Sequence, residues 1–124
     1  MLLYSSCLFL LVSIVGIIHK YYIYSLLFLF LMTTSILFYT TSNYYLVDQF
    51  AILLCVFYGL YTYVRKFKLN ILSVIILYTF IFCVVLYYGG LYLEEFCYCN
   101  TYGNYWHCIV HLLTIIGHIG IIII

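Results

Sequence analysis

Runs of roughly 20 mostly apolar residues with few or no charges recur along the chain, each long enough to cross the hydrocarbon core of a bilayer. In hydrocarbon every peptide N–H and C=O must find a partner inside the protein, so a crossing segment is a helix or a strand of a closed barrel. Barrel strands alternate apolar and polar residues. These runs are continuous, which predicts helices. The 124 residues are 69% hydrophobic and 6% charged, whereas a soluble domain devotes about a quarter of its residues to charge. The expected class is therefore all-α and integral to the membrane, a compact bundle of five transmembrane helices.

The expected spans are residues 2–18, 23–40, 45–64, 69–88 and 105–124. They are separated by "HKYY", "TTSNYY", "RKFK" and a longer loop, "LYLEEFCYCNTYGN". Neither an internal repeat nor a linker interrupts them, so residues 1–124 read as one domain. Short connections imply antiparallel neighbours. The first span carries no basic leader or small-residue cleavage site and is read as retained. All four basic residues, Lys20, Arg65, Lys66 and Lys68, follow spans one and three. The acids Asp48, Glu94 and Glu95 fall toward the opposite face. By the positive-inside rule the basic loops are cytoplasmic, the N-terminus is non-cytoplasmic and the C-terminus is cytoplasmic. Four cations cannot form a nucleic-acid footprint, and neither a phosphate-binding loop nor a serine triad is present. The expected partner is the lipid bilayer.

The last span, "YWHCIVHLLTIIGHIGIIII", carries His107, His111 and His118. At about 100° per residue all three share one helix stripe. His107 and His111 stand about 6 Å apart along the axis, which suits two ligands of one metal ion. His118 is about 10 Å deeper than His111. Ionisable groups in a span usually face the bundle interior or a water-filled cavity. Antiparallel threading brings Asp48, at the start of span three, to the level of His107 and His111, with Ser35, Tyr39 and Thr40 nearby at the end of span two. Two imidazoles and a carboxylate are a candidate set for Zn²⁺, with Asp48 as ligand or as base toward bound water. The other reading is a polar seam, in which the same groups bond to one another and to helix hydroxyls and only fix the packing. His19 lies at the other face and is expected in a solvated turn.

Cys7, Cys55 and Cys83 fall in apolar runs and are expected as small buried hydrophobes. Cys97, Cys99 and Cys108 gather near the acidic loop, where a disulfide from Cys108 to Cys97 or Cys99 is expected if that face is lumenal. A cysteine metal site there is weakly signalled, since C-x-C has no second matched pair. Bis-histidine haem binding needs ligands from two helices at one depth, and His19 is at the wrong one.

The order of these features resembles the alkaline ceramidase and adiponectin-receptor-type superfamily of seven-span intramembrane metal hydrolases. Its pattern is S-x-x-x-H ending span two, an Asp opening span three, and H-x-x-x-H opening the last span. Here "SILFY" (residues 35–39), Asp48 and "HCIVH" (residues 107–111) take those places, with Trp106 before the histidine. The chain also resembles small multi-pass proteins of large DNA viruses and protists that end in W-H-x-x-x-H and then G-H. The likeness covers about 20 residues at the C-terminus and about 15 around Ser35 to Asp48, as counted along the printed sequence. It implies hydrolysis of a lipid amide with zinc on His107, His111 and Asp48, and Ser35 and Asp48 in catalytic roles. Tyr39 stands where that superfamily has its third histidine, and five spans replace seven. Two functions are thus carried forward: a metal-dependent hydrolase of a lipid, diverged from that superfamily, or a non-enzymatic, structural or partner-binding membrane protein whose His/Asp stripe packs the bundle.

Overall fold

The first apolar run is not one helix. The computed structural model describes residues 2–41, 45–92 and 101–124, and in it α1 (Leu2–Cys7) and α2 (Phe9–Ile18) are separated at Leu8. There the N–H of Leu8 donates to the Ser5 carbonyl at 3.2 Å, and that of Leu11 to the Leu8 carbonyl at 3.0 Å. Such i-to-i+3 bonds tighten the backbone, and adjacent serines, here Ser5 and Ser6, are a recurrent cause of helix kinks. The remaining elements are α3 (Tyr22–Thr41), α4 (Tyr45–Lys66), α5 (Ile71–Tyr92) and α6 (Thr101–Ile123). No strand occurs among the described residues.

The all-α expectation holds. Three stretches, Leu46–Lys66, Ile71–Gly89 and Tyr105–Ile123, are long and apolar enough to cross a bilayer, while Tyr4–Ile18 and Tyr22–Phe38 are shorter apolar stretches. The last helix starts at Thr101 rather than at residue 105, and α5 runs on to Tyr92 through Gly89 and Gly90.

α2, α3, α4 and α6 form a ring, each packed on two neighbours, and α1 lies against α3 and α6. Among the described residues α5 approaches α6 closely along its backbone and reaches α4 through side chains. The α2–α3 hairpin turns at Lys20, which takes a positive φ of 65°. Small residues then let the two helices close up. Ser13 Oγ donates to the Ser25 carbonyl at 3.1 Å, and Ser25 Oγ donates back to the Ser13 carbonyl at 2.8 Å. A Cβ on Gly16 would stand 2.6 Å from Ser25 Oγ, so no larger residue fits without movement. The core of the ring is Phe9, Val12, Tyr24, Phe28 and Ile122.

Two local signals end α4 and begin α5. Asn70 Oδ1 accepts the N–H of Ser73 at 2.8 Å, capping the first turn of α5. Lys66, in the last turn of α4, donates from Nζ to the carbonyls of Ile121 (2.9 Å) and Ile122 (2.8 Å) and lies 4.7 Å from the centre of the Tyr21 ring. The last carbonyls of a helix lack intrahelical partners, and a cation there also meets the negative end of the helix dipole. Lys66 thereby gathers the ends of α4 and α6 and the α2–α3 turn at one end of the bundle. Lys66→Met is expected to lower stability by about 1.5–3 kcal/mol, the range for bonds to a charged donor. Lys66→Arg should recover part of the loss in denaturant titrations of the purified protein.

One cysteine departs from expectation. Cys55 is buried and Cys83 half-buried, but Cys7 is exposed. It is the last residue of α1.

Candidate functional site

Asp48 sits in the first turn of α4, where the helix dipole favours a carboxylate. It is only 4% exposed. Its Oδ1 accepts hydrogen bonds from Ser35 Oγ at 2.8 Å and Thr34 Oγ1 at 3.0 Å, both from the later turns of α3. A buried carboxylate needs such donors, and the antiparallel α3–α4 pairing supplies them from adjacent residues.

His107 and His111 are one turn apart on α6, with ring centres 4.7 Å apart and planes at 68°. His111 is buried, and its Nδ1 is hydrogen-bonded to Ser5 Oγ at 2.7 Å. The Phe9 ring packs 5.0 Å from it. The break at Leu8 thus places both sides of the first run, Ser5 before it and Phe9 after it, against one imidazole. His118 forms a second polar node. Its Nδ1 is hydrogen-bonded to the Tyr24 hydroxyl at 2.9 Å, and its ring packs edge-on against Phe28 at 4.8 Å. The ring fits because position 59 on α4 is glycine: a Cβ there would overlap it.

These groups line one mostly apolar cleft of about 200 Å³. α4 and α5 are its walls and α6 is its floor. Although only four residues join them, no Cα of α4 comes within 8 Å of a Cα of α5 among the described residues. Two tyrosines bridge the gap instead. Tyr63 of α4 donates to the Ser73 carbonyl at 2.9 Å near the α4–α5 connection. Tyr87 of α5 donates to Gln49 Oε1 at 2.9 Å near Asp48. Ser35, Asp48, His107 and His111 lie at the Gln49 end; Gly59, Cys83, Thr114 and His118 line the middle; Tyr63, Ile76 and Ile121 line the other end. Cys83 Sγ and Thr114 Oγ1 are 3.2 Å apart, which satisfies both polar groups within the apolar stretch.

Of the expected site residues, Ser35, Asp48, His107, His111 and His118 line this cleft, whereas Thr40 is exposed and donates to the Ile36 carbonyl of its own helix at 2.8 Å. The side chain of Tyr39 lies outside the described residues, as do Glu94, Glu95, Cys97 and Cys99. Cys108 is a half-buried free thiol. Among the described residues no group of three His, Cys, Asp or Glu side chains is arranged to hold a metal ion. Asp48 Oδ1 serves two hydroxyls, and His111 Nδ1 is engaged with Ser5. The ligand set expected from the sequence lines one cavity.

Sequence reasoning missed Ser5, Phe9, Tyr24, Thr34, Gln49, Gly59 and Tyr87. Ser5 and Thr34 carried a usable signal: both are hydroxyls inside apolar runs, and span parity brings them to the level of His111 and Asp48. The chain matches no protein-family model, no curated protein and no solved structure.

Proposed function

We propose that this is a five-span integral membrane protein that draws one hydrocarbon chain from the bilayer into the cleft between α4 and α5. The polar head of that lipid is held at Ser35, Asp48, His107 and His111. One observation carries the reading: two sequence neighbours are joined by a tyrosine bond toward each end over a mostly apolar floor, whose polar groups gather at the Gln49 end and at a second node, His118. From His107 to Ile121 the floor runs about 21 Å. The volume of about 200 Å³ falls below the roughly 300–1,000 Å³ of ordinary ligand pockets, which favours a single chain over a two-tailed lipid. The N-terminus is non-cytoplasmic and the basic end cytoplasmic, as the charge asymmetry supports.

Native mass spectrometry of the detergent-released protein tests this. One single-chain lipid is expected to remain bound per protein and to be lost on Val84→Trp or Thr114→Trp, which fill the cleft from its wall and floor. A wild-type protein that retains no such lipid, or variants that retain it undiminished, would overturn the reading. Resistance to alkaline carbonate extraction checks insertion separately.

A second reading, zinc-dependent hydrolysis of a lipid amide, is favoured by the approach of the His107 and His111 rings and by the Ser5 bond, since the second nitrogen of a metal-bound histidine is normally held by a hydrogen bond. In that reading His107 and His111 hold the ion, Asp48 completes the shell or serves as base, and Ser35 holds Asp48 in place. Zinc would supply an activated water.

A further inference from the structure

We propose that the basic end of the bundle is a binding surface for anionic phospholipid headgroups. The proposal rests on the membrane reading above and assigns a lipid class to a face that the cleft does not use.

Lys66 fixes the geometry. Its bonds to Ile121 and Ile122 and its contact with Tyr21 bring the ends of α4 and α6 and the α2–α3 turn together. The sequence places the other three cations on that same end, Lys20 in the turn and Arg65 and Lys68 at the close of α4. Lys66 is engaged with helix carbonyls, but Lys20, Arg65 and Lys68 are all exposed, and so is His19. No carboxylate neutralises them among the described residues. Asp48, the acid described, is buried in the opening turn of α4, 17 positions before Arg65, or about 26 Å along the helix. Among the described side chains, the end therefore presents three positive charges with no carboxylate beside them.

Its surroundings fit a membrane interface rather than open water. Tyr22, Tyr61, Phe67 and Leu69 are exposed around the cations. Arg65 Nη1 donates to the Tyr61 hydroxyl at 3.2 Å, with the guanidinium 5.6 Å from that ring, so the charge is tied to an exposed aromatic side chain. Tyrosines of this kind sit at headgroup level, and Arg and Lys reach from apolar stems toward the same layer. A lipid phosphate bearing net charge answers the cations, and its acyl chains cover the apolar neighbours. A zwitterionic headgroup brings its own cation and gains less.

The test uses the full chain in nanodiscs of phosphatidylcholine with a minor fraction of phosphatidylglycerol, followed by native mass spectrometry of retained lipids. Phosphatidylglycerol should be enriched over its bulk fraction. Each single substitution, Lys20→Gln, Arg65→Gln or Lys68→Gln, should lower the enrichment up to about fivefold, the factor for about 1 kcal/mol per surface cation. The triple variant should abolish it, and 1 M salt should weaken it. Inorganic phosphate at matched ionic strength should not displace the lipid; displacement would mean an anion site without lipid specificity and would overturn the proposal. So would equal retention of both lipids by the wild type, or wild-type enrichment in the triple variant. Because Lys66 is left intact, the fold is kept. Failure to resist carbonate extraction would sink the membrane reading, whereas insertion without lipid preference would sink this inference alone.

Discussion

Gly59→Ala should destabilise the protein by about 1–3 kcal/mol, the usual cost of forcing atoms into a filled interior. The added methyl would overlap the His118 ring, with Nδ1 at 2.9 Å and the Tyr24 hydroxyl at 3.1 Å. Neither neighbour can give way freely. The imidazole is hydrogen-bonded to Tyr24 and packed against Phe28, and Tyr24 is itself fully buried, with Tyr58 edge-on at 5.1 Å. A small residue at 59 is therefore what lets a histidine on α6 reach past α4 to a tyrosine on α3. His118→Ala alone should also cost stability, because it leaves the buried Tyr24 hydroxyl without this acceptor or donor. The double variant decides the mechanism. If Gly59 acts by making room for the ring, Gly59→Ala should cost much less in the His118→Ala background, a coupling of about 0.5–3 kcal/mol between touching residues. Additive losses, measured by denaturant titration in detergent, would mean that Gly59 serves something other than His118.

Much of this arrangement can be read from the chain itself, for a simple reason. Apolar runs of spanning length separated by short polar turns fix antiparallel threading, and threading fixes level. Level is what brings Asp48 to Ser35 and puts His107 and His111 on the floor of the same cleft, across 59 positions of sequence from Asp48 to His107. Rotation about each helix axis is another matter. Whether the side chains of Asp48, His107 and His111 turn to a common point depends on packing, which uniformly apolar helices do not encode by pattern. The break at Leu8 is a similar case. It arises within an otherwise apolar run, and Ser5 before it and Phe9 after it both meet His111. The separation of α4 from α5 was also hidden, because short connections predict packed neighbours and here α5 leans on α6 instead. Lys66 shows the converse. Its charge identified the face, but its bonds to the last carbonyls of α6 depend on where that helix ends.

His111→Ala is expected to destabilise by about 2–4 kcal/mol, from lost packing against Phe9 and a buried Ser5 hydroxyl deprived of its partner. His107→Ala should cost less, since that ring is only half-buried. This inequality separates a hydrogen-bonded seam from a metal centre. A polar seam along the cleft makes each histidine count by its own burial and bonds, so the costs differ and a chelator changes neither. A bound ion makes the two histidines count as one unit. Stabilisation by a ligand follows its concentration relative to its dissociation constant, so zinc would raise the midpoint of the wild type, a chelator would lower it, and either substitution would erase the same increment. His111→Gln sharpens the contrast: its amide can still bond to Ser5 and should keep part of the seam's stability, but it is a poor substitute for a zinc-binding imidazole. Denaturant midpoints of wild type and the three variants, each with chelator and with zinc, are expected to rank wild type above His107→Ala and His111→Gln, with His111→Ala lowest and no response to metal. Stoichiometric zinc in the purified wild type, with equal losses for His107→Ala and His111→Ala, would instead make the shared cleft a metal centre.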